Sequence, residues 1–100
     1  MSEAAYATAN GLKAALASRA EEFVQWLLPN GRKQGREWII GSLRGEQGQS
    51  CRVILAGKKA GVFIDWATGE KGSNLVELLR QVRGCHFGEA LRQCKAWLAL

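Results

Sequence analysis

The sequence is short of the residues from which catalytic and metal sites are usually built. It holds a single histidine, His86, in 100 residues. A hydrolytic site needs a nucleophile, a base and an orienting acid, and no acid cluster surrounds His86. That residue reads as a helix-start or surface residue, and no catalysis is expected from this chain alone. The three cysteines, Cys51, Cys85 and Cys94, are odd in number and unpaired in spacing. That argues against a disulfide framework and for reduced thiols in a cytosolic protein. A zinc site takes four ligands, usually as two short-spaced pairs. The only compact pair is Cys85–His86, and adjacent ligands are awkward at one tetrahedral ion.

Other absences narrow the class further. No apolar run approaches the ~18 residues of a membrane span. "MSEAAYATANG" lacks the basic region and apolar stretch of a signal peptide. A cytoplasmic protein without membrane contact is expected, with a flexible segment over 1–10 and one domain over 11–100. "GEKGSN" lacks the Gly-Lys-Ser/Thr run of a phosphate-binding loop, and no Gly-x-Gly-x-x-Gly opens the helix after it. No cofactor is implied.

What is present is apolar patterning and positive charge. Hydrophobic residues make up 47% of the chain, enough for a core without disulfides. Leu12, Leu16, Ala20, Phe23 and Leu27 recur at helical spacing over 11–28. "SRAE" at 18–21 resembles a capping box, so two helices meeting near Ser18 are expected. Pro29 disfavours helix at Leu28. "EWIIG", "CRVIL" and "VFIDW" read as strands, the last two joined as a hairpin by "AGKKAG". Alternation puts Val62, Ile64 and Trp66 on one face and Phe63 and Asp65 on the other. Asn74 with Glu77 resembles an N-cap and its box partner. Leu75, Leu78, Leu79 and Val82 then form a helix face, and Gly84 is a stop. Phe87, Ala90, Leu91, Cys94, Trp97 and Leu98 make the apolar stripe of a last helix. The fold class is α+β: a small antiparallel sheet with an N-terminal helix and two C-terminal helices packed on it.

The net charge is +5. Between residues 32 and 59 lie Arg32, Lys33, Arg36, Arg44, Arg52, Lys58 and Lys59, opposed only by Glu37 and Glu46. This one stretch, the expected sheet with its loops, carries the whole net charge. Trp38, Phe63 and Trp66 are interleaved with it. Rings that stack on bases beside cations that meet phosphates make a platform for single-stranded nucleic acid. The competing reading makes the rings core and the cations merely solvated.

Residues 35–98 resemble the zinc-ribbon domain of bacterial DNA primases. "DWATGEKGSN" is similar to the Asp-aromatic-Ala-Thr-Gly-Glu-x-Gly turn of primase-like proteins from phages, plasmids and other mobile elements. "SNLVELLRQVRGCHFGEALRQCKAWL" resembles the closing helix pair. The resemblance implies a DNA-binding module for single-stranded template, non-catalytic itself, working with a Toprim or helicase domain or another replication partner. A protein-interaction adaptor in such a complex is the alternative. The resemblance also implies where zinc ligands would stand: near Gly41 and Arg44, and near Asp65 and Thr68. None of these is a cysteine or histidine, so the expected form is zinc-ribbon-like without metal. Trp38, Ile40, Phe63, Trp66, Trp97 and Leu98 are the apolar mass expected to replace the metal. The implied interface is Arg32, Lys33, Arg36, Trp38, Arg44, Arg52, Lys58, Lys59 and Trp66. The tight turn leads to one further expectation, a positive φ at Gly69 or Gly72.

Overall fold

The structure, a computed structural model, describes residues 8–99. The flexible segment expected over 1–10 falls outside the described residues as far as residue 7. Its last two residues are helical, because Thr8 starts the first helix. The Thr8 hydroxyl accepts from the Gly11 N–H at 3.0 Å and caps α1 (Ala9–Ala17). The chain does break near Ser18, though without the expected capping box. Ser18 stays in the right-handed region, and its hydroxyl donates back to the Ala15 carbonyl at 2.7 Å. Arg19 takes the N-cap position of α2 (Ala20–Leu27), with no side-chain cap. Ser18 thus serves as the C-cap of α1, and Arg19 stands between it and α2. Leu28, ahead of Pro29, leaves the helical region at φ −130°, ψ 66°, as the proline ring requires.

Five antiparallel strands follow in chain order: β1 (Arg32–Gln34), β2 (Glu37–Ile40), β3 (Cys51–Ile54), β4 (Phe63–Asp65) and β5 (Lys71–Gly72). Three were expected. β1 and β5 are the two edges, and neither carries an apolar pattern of its own. The register Trp38↔Val53↔Phe63↔Gly72 lies on the inner face, with Ile40↔Cys51↔Asp65 beside it. The row Arg32↔Ile39↔Arg52↔Ile64↔Lys71 crosses all five strands on the outer face.

α3 (Leu75–Arg83) and α4 (Phe87–Leu98) close the chain. Asn74 Oδ1 accepts from the Glu77 N–H at 2.9 Å, and Gly84 ends α3. The Glu77 carboxylate turns to Arg80 and Gln81 rather than back to Asn74. His86 caps α4, its Nδ1 accepting from the Glu89 N–H at 3.2 Å. Leu12, Leu16, Phe23, Val24, Leu28, Leu75, Leu78, Leu79 and Cys94 join the inner sheet face in one buried core. Two expected core positions lie elsewhere: Phe87 and Trp66 are exposed. Phe87 is the first residue of α4 and has no preceding turn to shelter it. Trp66 alternates away from the helices. The apolar mass in the core is therefore Trp38, Ile40, Phe63, Trp97 and Leu98, without Trp66. Among the described residues no helix is long and apolar enough to cross a membrane.

Candidate nucleic-acid interface

The outer sheet face alternates cations and aliphatics along one row. Arg32, Arg52 and Lys71 flank Ile39 and Ile64. Ile39 is buried and shares the wall of a cleft with Asn30, Gly31, Arg32, Gln47 and Gly48. That cleft measures about 250 Å³, below the usual range of small-molecule pockets. Trp66 follows β4 on the same face as Ile64. Its N–H donates to the Ser50 carbonyl at 2.8 Å, which extends the β3–β4 ladder by one rung. At 70% exposure, its ring is held out by a fixed backbone.

The opposite end of the sheet carries three more cations. Arg36 sits in the β1–β2 turn, and its carbonyl accepts from the Leu55 N–H at 2.8 Å. Its guanidinium lies beside Gly57, 3.7 Å from where a side chain there would begin. Lys58 and Lys59 are next in the chain, in the β3–β4 turn, and both are exposed. Four residue steps along the strand, roughly 13 Å at ~3.3 Å per residue, separate Val62 at this end from Trp66 at the other.

Four of the nine residues singled out from the sequence behave differently. Trp38 is 5% exposed, and its indole N–H donates to the Leu28 carbonyl at 2.9 Å. It is a core residue that ties the sheet to the end of α2, and its ring is closed to a base. Lys33 lies opposite Trp38 in the register, toward the helices, and pairs with Glu21 of α2 at 2.7 Å. Arg52 is on the outer face but pairs with Glu37 at 3.0 Å. Arg44, in the β2–β3 loop, pairs with Glu70. Glu21 and Glu70 lie outside the stretch 32–59, so charge counted along that stretch could not see them. Arg32, Arg36, Lys58 and Lys59 enter no ion pair among the described residues. Lys71 is the cation that the sequence reading missed. It joins the outer face only through the pairing of β5 with Ile64.

The 65–70 turn is built on Asp65, which is fully buried. Its Oδ1 accepts from the Ser50 hydroxyl and the Ala67 N–H, each at 3.0 Å, and from the Thr68 N–H at 3.4 Å. This local fan of donors holds the turn. Oδ2 is buried with no hydrogen-bond partner among the described residues. Cys51 lies opposite Asp65 in the sheet. Burial first, then the charges of Asp65 and Glu70, pushes its thiol up to about 12. A thiol so placed is neither a nucleophile nor a ready metal ligand. Glu70 is held below the ordinary carboxylate value by hydrogen bonds from Arg44 and Thr68. Gly69 adopts φ +80°, as one of the two turn glycines was expected to do. Gly72 does not. It is glycine because a Cβ there would lie 2.5 Å from the Phe63 ring.

Among the described residues no group of three or more His, Cys, Asp or Glu side chains could hold a metal ion. Comparison of the chain with protein-family models, with curated proteins and with solved structures finds no match.

Proposed function

We propose that this domain is a DNA-binding module of a primase-like replication protein, and that it holds single-stranded template across the outer face of its sheet. The observation that carries the reading is Trp66: a large ring, 70% exposed, fixed on the outer face at one end of a sheet whose other end bears the exposed turn cations Arg36, Lys58 and Lys59. A ring that stacks on one base and cations that meet phosphates are the two elements of single-strand binding. The ion pairs of Arg44 and Arg52 remove those two from the free phosphate-binding set. Arg32, Arg36, Lys58 and Lys59 remain, with Lys71 beside them. Phosphate contacts are identical along a strand, so this charge gives affinity without sequence preference. The resemblance of the 65–74 turn to primase-like proteins supplies the biological setting, and catalysis belongs to a partner Toprim or helicase domain.

The test is titration of a single-stranded 20-mer at several salt concentrations. Four phosphate contacts give a slope of log K against log salt near −3, at ~0.7 per contact. Lys58→Ala with Lys59→Ala lowers that slope and weakens binding on all sequences alike. Trp66→Ala removes a stacking contribution of ~1–3 kcal/mol. No measurable binding by the folded domain at low salt overturns the proposal.

A further inference from the structure

The helical side of the molecule carries a second cluster that the sheet-face reading leaves unused. Trp26 belongs to α2, whose Phe23, Val24 and Leu27 are buried, yet it is 43% exposed. Its ring lies 5.7 Å from Phe23 and 6.2 Å from Trp97 of α4, tilted by 48° and 40°. Phe23 and Trp97 meet edge to face at 5.0 Å. Two guanidinium groups cover these rings: Arg19 at 4.5 Å from Trp97, and Arg83 of α3 at 5.3 Å from Trp26. Three helices thus hold a half-open tryptophan in a fixed setting.

The charges at this face are not balanced. Glu22 is engaged by Arg19 at 2.9 Å and Glu21 by Lys33 at 2.7 Å. Arg83 enters no ion pair among the described residues. An unneutralised guanidinium therefore stands beside an apolar ring, and the α2 carboxylates nearby are already taken. A nucleic-acid base is a poor match, because stacking needs an open ring face and Arg83 lies over this one. Trp66, by contrast, has no ring or cation partner among the described residues. Preorganised tryptophan and arginine are the side chains on which protein interfaces concentrate their binding free energy. Rings already fixed by packing lose little freedom when a partner arrives.

We propose that the face around Trp26 and Arg83 docks an acidic, apolar segment of another protein. A carboxylate of that segment meets Arg83, and a leucine or aromatic side chain packs on the exposed part of Trp26. The site lies on the helical layer, away from the outer sheet face, and stands whether or not the domain binds nucleic acid.

The experiment is selection of a random peptide library displayed on phage against the folded domain, followed by titration of the enriched peptides. The expected peptides combine Asp or Glu with Leu, Phe or Trp. Arg83→Glu is expected to weaken them about tenfold or more, as loss of an interface anchor does, with Arg83→Lys recovering part of the loss. Trp26→Ala has the same effect, and its melting curve is recorded because Trp26 also contacts Phe23. Arg83 is exposed, so its variants keep the test independent of folding. Four results overturn the proposal: no enrichment, enriched peptides without acidic residues, binding indifferent to Arg83→Glu, or self-association of the domain that Trp26→Ala abolishes. The last would make the occupant a second copy of this chain.

Discussion

Arg44 and Glu70 form an ion pair across 26 residues of chain, joining the β2–β3 loop to the 65–70 turn. Thr68 adds its hydroxyl to the same carboxylate at 3.0 Å. The pair is at the surface, so salt screens it. Glu70 has its carboxyl lowered from the ordinary 4.5. A lowered carboxyl stabilises the fold above that value and stops doing so as pH falls through the folded-state value. Glu70→Gln should therefore melt slightly below the parent at pH 7, and the gap should close in acid and in high salt. A gap that persists unchanged at pH 3 would show that the carboxylate charge is not its cause.

The same two loops are where the primase resemblance places metal ligands, and here hydrogen bonds, this ion pair and apolar packing join them. Dialysis against a strong chelator should leave the melting midpoint unchanged. A large fall in the midpoint, or stoichiometric zinc by elemental analysis, is the contrary result.

Gly69 and Gly72 should fail in different ways. At Gly69, with φ +80° and open space around it, alanine should cost about 1 kcal/mol from backbone strain alone. Asparagine, which tolerates this region better, should cost less. At Gly72 the obstacle is the Phe63 ring and the Glu77 Cγ at 2.5 and 2.9 Å. Alanine there should cost about 1–3 kcal/mol by overpacking, and asparagine more. Denaturant unfolding of the four variants separates the two mechanisms.

The two tryptophans of the sheet should separate cleanly. Trp38→Ala should cost about 3–5 kcal/mol. Trp38→Phe, which fills most of the space but leaves the Leu28 carbonyl without its donor, should cost about 1–3 kcal/mol. Trp66→Ala should melt like the parent. Equal stability of the Trp38 and Trp66 alanine variants would contradict the burial described.

Alkaline stability should track two thiols. Burial and neighbouring negative charge push Cys51 and Cys94 from 9.0 up to about 12. A raised value means that the unfolded chain loses its proton first. Stability is then complete below pH 9 and falls as pH rises toward 12, by at most about 1.4 kcal/mol per pH unit for each thiol. Urea unfolding between pH 8 and 10.5 should show the fall, and replacing both thiols with alanine should flatten it. Cys85, half-buried, should be the one labelled by a thiol reagent in the native protein.

The sequence made plain those parts of the fold that rest on local chemistry. The Asn74 cap, the Gly84 stop and the Leu75–Leu79 face are set by residues within one or two helical turns of each other. The alternation of Phe63 and Asp65 against Ile64 and Trp66 gave both faces of β4 correctly. β1 and β5 were not legible, because "RKQ" and "KG" are strands only through partners elsewhere in the chain. Trp38 was ambiguous for a related reason. Ile39, on the opposite face of β2, is buried as well, so in "EWII" a single half-buried residue, Glu37, marks the outer side. The charged platform shrank because Glu21 and Glu70 approach it from other elements. The Trp26 cluster was missed because its rings come from α2 and α4 and its cations from Arg19 and Arg83, with no sequence pattern in common.

The β2–β3 loop sets a limit on engineering. A Cβ at Gly41 would lie 2.7 and 2.8 Å from the Gln47 and Glu46 carbonyl oxygens, and one at Gly48 would lie 2.6 Å from the Gly41 Cα. The loop is thus folded backbone against backbone, with no room for a side chain at either position. Grafting a ligand-bearing cysteine or histidine onto Gly41 would first have to open the loop and break the Gly41 N–H bond to the Glu46 carbonyl. A designer who wanted a metal in this domain would have to start from Arg44 or Thr68, whose side chains already reach solvent, and build the loop anew around them.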